Sequence, residues 1–415
     1  MADNTDADTP VWSPWRVVVG FGLISLAADM VYEGARSLYG PLLSSLGASA
    51  LVVGLVAGAG EAVALVLRIV SGPMADRTRR YWALTLVGYA LTAICVPLLA
   101  VTPFLGAAGL AVAAALILIE RFGKAVRSPA KSALLADAAS HVGMGRGLGV
   151  HKALDQIGAL AGPLLAAALI ALSAGRLWPG FAVLAIPGAA SMVLLFVTRS
   201  RAPQPVSPGP VSSGPAVAAA LPGARQARVP LPPNFLRFAV GTSLCTAGLV
   251  AFALISFHLV ERDLLSAAGV PVVYAGAMAA GALAALATGE AYDRFGARVL
   301  LTLPFLVAGV PGLAFGHSLR LVVSGALLWG AAVGVQDSTV KALVADLVPR
   351  DRRATAFGVF AAVQGAGALV GGAAAGALYE RSIPALVAVT AVVQVVALVL
   401  LVSVVRRHAD QVIAA

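Results

Sequence analysis

Twelve runs of about 20 mostly apolar residues punctuate this chain, and at 1.5 Å per residue each is long enough to cross a hydrocarbon core of roughly 30 Å. They fall at 16–42, 48–70, 81–103, 106–127, 148–172, 177–198, 235–260, 270–291, 299–316, 320–344, 355–378 and 383–405. Only 12% of the residues are charged, against about 25% in soluble domains, which excludes a water-soluble enzyme. The 44 Gly and 24 Pro fit membrane helices, where neighbouring helices satisfy freed backbone groups. The expected fold class is an all-α polytopic membrane protein with twelve transmembrane helices in two six-helix bundles.

The segment between the sixth and seventh runs, 199–234, holds nine prolines, a composition that extends rather than packs. It divides the chain into a tail (1–15), a first bundle (16–198), a linker (199–234), a second bundle (235–405) and a C-terminal tail (406–415). Lys and Arg in the short connections set orientation. With both termini cytoplasmic, seventeen such residues fall inside and four, Arg176, Arg262, Arg320 and Arg381, fall outside. The net charge of +10 is therefore read as positive-inside bias and not as a nucleic-acid footprint. The N-terminus has three Asp and no basic residue before Arg16, so it lacks the positive region of a signal peptide. Cys95 and Cys245 sit singly in apolar runs and read as small buried hydrophobes.

The halves repeat. A shift of 209 residues lays ALLAD (133–137) on ALVAD (342–346), and Gly149, Gly158 and Gly162 on Gly358, Gly367 and Gly371. Parallel repeats of this kind place a substrate site between two rocking halves. GPMADRTRR (72–80) follows the second run, and the related GEAYDRFGAR (289–298) closes the eighth. In each, the Gly is expected to let the helix end pack closely. The Asp is expected to accept hydrogen bonds from a neighbouring helix N-terminus or an Arg, forming a latch that breaks when the halves move. The fifth run carries Gly149, Gly158, Gly162 and Pro163, small residues near one helix face followed by a bend.

These motifs resemble those of the major facilitator superfamily, over essentially the whole chain outside the tail and linker. Gly72, Asp76, Arg77 and Arg80 match the family's loop signature, with Arg79 where a second Gly is usual. Gly289, Asp293, Arg294, Gly296 and Arg298 match its second copy, with Ala297 replacing a basic residue. Gly149, Gly158, Gly162 and Pro163 resemble the helix 5 signature of the family's proton-coupled exporters, although Ala166 stands where a further Gly is expected. The resemblance implies alternating access, and the helix 5 motif implies export.

An ionisable side chain at mid-bilayer costs about 2.5–3.5 kcal/mol even on the lenient insertion scale, so each needs a partner or a task. Helix 1 sets Asp29, Tyr32, Glu33 and Arg36 on one stripe. Helix 2 adds Glu61 and Arg68, helix 4 adds Glu120, Arg121 and Lys124, and helix 5 adds Lys152 and Asp155. The second half offers Asp337 and Lys341 in helix 10, Glu290 in helix 8, and His258 with Glu261 at the end of helix 7. Its Thr242, Ser243, Thr246, Gln336, Ser338, Thr339 and Gln364 read equally as a substrate lining or as interhelical glue. Desolvation and nearby cations pull a carboxylate's proton affinity in opposite directions, a contest that opening and closing a cavity can tip. Asp29 or Glu33 is expected to carry the proton, with Glu61 and Glu120 as relays and Arg36 and Arg121 as counter-charges. The competing reading is static pairing, Glu33–Arg36 and Glu120–Lys124. His258 is expected at the interface beside Glu261, and His141, His151, His317 and His408 show no metal-ligand spacing.

The chain is thus expected to be a monomeric proton-coupled exporter of a small organic molecule, multi-pass in the plasma or inner membrane. Its partners are the substrate, protons and the lipid bilayer, without nucleic acid, cofactor or bound metal. Proton-coupled uptake or metal-ion efflux is the alternative. A membrane hydrolase is disfavoured, since the sequence has no HExxH, GxSxG or GxGD motif.

Overall fold

The structure, a computed structural model, describes residues 12–202, 231–340, 343, 347, 348 and 353–414. Within these residues all regular structure is helical. Eleven helical stretches are long and apolar enough to span a membrane. One of them, Val270–Ala314, has 45 residues, which is roughly twice a single crossing. Gly296 interrupts it at φ +62, a conformation that costs glycine little, and the chain continues as a short 3₁₀ turn, Gly296–Leu301. That stretch therefore supplies two spans, and the total among the described residues is twelve.

We label them α1 Pro14–Ser45, α2 Ala50–Thr78, α3 Tyr81–Phe104, α4 Gly109–Ser140, α5 Met144–Leu172 and α6 Trp178–Arg201. The rest are α7 Pro233–Glu261, α8 Val270–Phe295, α9 Thr302–Ala314, α10 Leu319–Val335, α11 Arg353–Arg381 and α12 Ile383–Ala414. Several spans outrun their apolar runs. α4 continues to Ser140, so Arg127 and Lys131, two of the seventeen basic residues counted above in inside connections, lie inside a helix, and Arg127 is buried. The N-terminal residues 1–11, most of the linker, Lys341 and most of the second ALVAD copy lie outside the described residues.

The polarity of the bundle is inverted relative to a soluble fold. α12 has the highest mean hydropathy of any span, 2.9, yet only 28% of its apolar window is buried, whereas α1, at 1.5, is 67% buried. The most apolar surface faces outward, as a lipid solvent requires, and the charged stripe of α1 lies at the centre.

Glycines set the central crossings. A Cβ on Gly158 or Gly162 of α5 would collide with the carbonyl oxygens of Leu26 and Met30 on α1. A Cβ on Gly371 of α11 would collide with the Ala247 carbonyl on α7, and one on Gly367 with the Ser243 hydroxyl. The two repeat-related Gly pairs thus make the same crossing, α1 with α5 and α7 with α11. Gly149 and Gly358 correct the expectation of a three-glycine face. A Cβ meets nothing within 4 Å at Gly149 and only Ile69, at 3.9 Å, at Gly358. Pro163 is buried within a continuous α5.

The end of the bundle where α1 stops and α2 starts, here called distal, is sealed between the halves. Gly40 of α1 packs on the Ala253 carbonyl and Ser256 of α7, and Gly54 and Gly376 lie at close crossings of α2 and α11. Glu380 at the end of α11 accepts a hydrogen bond from the Leu51 amide in the first turn of α2 at 2.9 Å. The Ser44 hydroxyl donates to Glu261 at 3.2 Å. At the opposite, proximal end the start of α1 meets the end of α6, Trp12 amide to Arg201 carbonyl at 2.8 Å.

Candidate functional site

Helical spacing puts Asp29, Tyr32, Glu33 and Arg36 on one face of α1, and the fold turns that face toward α2, α4, α5 and α8. The site divides into two clusters along α1.

The distal cluster is built around Tyr32, whose side chain is almost fully buried. Arg121 of α4 donates to the Tyr32 hydroxyl and lies 4.6 Å from the ring centroid. Lys124 Nζ sits 3.5 Å above the same ring, and the Arg36 guanidinium is 5.9 Å from it. Three cations on one ring are tolerable only with opposing charge. Glu61 of α2 supplies it, bridging Arg36 at 3.0 Å and Arg121 at 3.4 Å, while Glu33 lies 3.9 Å from Arg36 and Glu120 lies 3.7 Å from Arg121. Glu120 also accepts from Thr92 at 3.2 Å, and Thr92 in turn receives Arg127 at 2.5 Å. Six charges left unpaired at about 3 kcal/mol each would cost about 18 kcal/mol, more than the usual stability of a whole domain. The pairing is therefore a condition of folding as well as a candidate proton path.

Of the expected static pairs, Glu33–Arg36 forms, although Glu61 on another helix holds Arg36 more closely, and Glu120–Lys124 is corrected, because Lys124 is placed on Tyr32. The cluster also recruits residues that sequence reading passed over. The Tyr274 hydroxyl of α8 donates to Glu33, and Trp329 of α10 places its ring 5.9 Å from Arg36 while donating to the Val250 carbonyl at 2.8 Å. Tyr274, Trp329 and Phe252 form a buried aromatic wall from the second half. Glu61 is 32% exposed and Arg36 22%, so open space inside the bundle reaches them.

The proximal cluster joins α1, α4 and α5. Asp29 and Asp155 stand close enough for their carboxyl groups to act on each other. Lys152 binds Asp155 at 2.6 Å, and Lys131 stands close enough to both aspartates to act on them electrostatically. Lys131 Nζ also donates to the Ser25 hydroxyl at 2.7 Å, and Ser25 lies 2.9 Å from Nε2 of the buried His151. Ser25, Lys131 and His151 carried no sequence signal for this site, because they come from three helices. Asp337, on the π-helical turn Gln336–Val340 that ends α10, faces Arg68 and Lys152 electrostatically.

The remaining predicted positions lie apart. Asp76 accepts from the Tyr81 hydroxyl at 3.1 Å, so its partner is a side chain in the first turn of α3 and not a helix N–H or an Arg. Arg79, where a Gly is usual, takes a left-handed φ of +52. Arg77, Arg80, Asp293 and Arg298 are exposed, and Arg294 pairs with Glu290 one turn away at 2.5 Å. Gly72 and Gly289 stand in open space, which corrects the expectation that they permit close packing. His258 is also corrected: it is buried, Nε2 donates to the Gly316 carbonyl at 3.1 Å, and Nδ1 then accepts from Tyr379 at 2.7 Å. Glu261 turns instead to Ser44. Gln364 binds Thr242 at 3.0 Å and also receives Thr246, so these residues tie α7 to α11.

Twelve spans, a repeated Gly crossing and a charged centre between two sets of helices define a polytopic membrane protein built for moving a solute. The sequence pattern of the Major Facilitator Superfamily matches residues 21–282 and 238–414, and the chain belongs to that family of transporters. It is 51% identical over 385 residues to an uncharacterized protein of Mycobacterium tuberculosis, covering 92% of this chain and 91% of the relative. An uncharacterized MFS-type transporter of Methanocaldococcus jannaschii is 24% identical over 383 residues, covering 87% and 88%. The fold resembles that of a point mutant of the nucleoside transporter NupG, with a TM-score of 0.71 at 15% identity, over 94% of this chain and 99% of that one.

Proposed function

We propose that this transporter exports a small organic molecule in exchange for protons, by rocking the halves 16–198 and 235–405 about the site between them. The observation that carries the reading is the Asp29–Asp155 pair. Two carboxyl groups this close favour holding one proton between them, since two carboxylates side by side repel. Lys131 and Lys152 stand beside the pair as balancing charges, so a modest change in hydration or in lysine position releases the proton. Asp29 is the carrier and Asp155 its partner. Glu33, Glu61 and Glu120 relay, and Arg36 and Arg121 balance their charge.

The tight α1–α5 crossing at Gly158 and Gly162 brings Asp29 and Asp155 together, and it supports export through the family's helix 5 signature. The protein works as a monomer in the plasma or inner membrane, with both termini in the cytoplasm. Neutralising Asp29 and Glu33 one at a time and measuring proton-driven transport tests the assignment. Loss with Asp29→Asn is expected, and full activity in both variants overturns it.

A further inference from the structure

We infer that Ser25 is the positioning residue that holds Lys131 off the Asp29–Asp155 pair and so sets how tightly the pair keeps its proton, a role that rests on the proton-coupling reading above. Ser25 lies one helical turn before Asp29 on α1, and His151 lies one turn before Asp155 on α5. The two pairs are successive rungs between the same two helices, on the crossing that Gly158 and Gly162 hold tight against Leu26 and Met30. Lys131 reaches this ladder from α4. Its ammonium donates to the Ser25 hydroxyl at 2.7 Å, and Ser25 is its one hydrogen-bond partner among the described residues. It acts on both aspartates electrostatically yet forms no ion pair within 4.0 Å of either.

A lysine beside two carboxyl groups gains more from a charge-assisted bond to a carboxylate than from one to a hydroxyl, so its seat on Ser25 needs a cause. An ammonium has donors only, so Ser25 accepts from it and passes its own hydrogen elsewhere. Nε2 of the buried His151, 2.9 Å away, takes that hydrogen, which completes the chain from Lys131 through Ser25 to His151. The other charges around the pair are already engaged. Lys152 of α5 binds Asp155 at 2.6 Å and is faced by Asp337 from the turn after α10, which also faces Arg68 of α2. Lys124 of α4 sits on the Tyr32 ring, and Arg127 of α4 covers Tyr89 of α3. The charges of α6 and α8, Arg199, Arg201, Glu290, Asp293 and Arg294, lie at exposed helix ends. Lys131 is therefore the cation whose distance from the carboxyl groups is adjustable, and Ser25 sets it. Released from Ser25, Lys131 moves onto a carboxylate, favours the ionised pair and expels the proton.

The test titrates the full-length protein in lipid nanodiscs by infrared difference spectroscopy, reading the C=O stretch of protonated carboxyl groups that Asp29→Asn removes. In the wild type this band is expected to grow in on acidification. Ser25→Ala is expected to move its midpoint to lower pH by about one unit, a tenfold weaker hold on the proton. Lys131→Met is expected to move the midpoint to higher pH, and Ser25→Ala added to Lys131→Met to change nothing further. A Ser25→Ala midpoint that stays put or rises, in a protein whose Asp29 band still titrates, overturns the role of Ser25 and leaves Asp29 as the carrier. A Ser25→Ala shift that persists in the Lys131→Met background also overturns it, because Ser25 then does not act through Lys131. A wild type with no titrating band that depends on Asp29 overturns both this inference and the broader reading.

Discussion

Asp29 on α1 and Asp155 on α5 stand within reach of each other's charge at the level where two glycines of α5 press against the α1 backbone. The carboxylate pair and the helix crossing that brings it together are thus one structural feature. Asp155→Asn should retain the fold and cut proton-driven transport by about tenfold or more, because an amide can still hydrogen-bond Asp29 but cannot share a titrating proton with it. Transport in reconstituted vesicles, with and without an imposed proton gradient, checks this. Unchanged gradient dependence would count against the pair.

The glycines of α5 should respond unequally. Gly162→Ala drives a methyl into the Met30 carbonyl and should lower the thermal stability of the purified protein, by about 1–3 kcal/mol for an overpacked site. Gly149→Ala has open space and should be neutral, or stabilising by up to about 1 kcal/mol from helix propensity. Thermal unfolding in detergent separates them, and equal effects would refute the packing role.

Glu380 caps the first turn of α2 from the other half of the molecule. Glu380→Ala should remove about 1 kcal/mol from the distal-closed state, which is about a fivefold shift toward opening. Faster labelling of a cysteine in place of Val53, fully buried near the start of α2, would register it once Cys95 and Cys245 are replaced by Ala. Labelling no faster than in the capped protein would show that the cap does not hold the seal.

His258 spans three segments, bonding α7 to Tyr379 of α11 and to Gly316 between α9 and α10. His258→Leu strands the Tyr379 hydroxyl and the Gly316 carbonyl and should destabilise the second half by about 1–3 kcal/mol. Tyr379→Phe should cost less, since it leaves the Gly316 bond in place. Unfolding midpoints of the two variants give the order, and the reverse order would contradict the hydrogen-bond assignment.

Parts of this site are legible in sequence and parts are not, for physical reasons. Asp29, Tyr32, Glu33 and Arg36 lie in one short segment, so helical periodicity alone places them on one face. Glu61 and Arg121 stand out because charge is expensive inside a membrane. Which charge meets which is not legible, because Arg36 chooses between Glu33 and Glu61 by the packing of α1 on α2. Tyr274 and Trp329 look like ordinary apolar filling until tertiary structure sets them against Glu33 and Arg36. Ser25, Lys131 and His151 gain meaning only when three helices converge. The 209-residue repeat marks the Gly positions, yet it does not distinguish Gly158 and Gly162, which pack, from Gly149, which does not.

The most direct test of proton-driven export is accumulation of a small-molecule library in cells with and without the protein, repeated after the proton gradient is collapsed. At least one compound should accumulate less in cells that carry the protein. The difference should vanish when the gradient is collapsed and when Asp29 is replaced by Asn. Equal accumulation of every compound under all conditions, or export that persists without a gradient, would contradict the account.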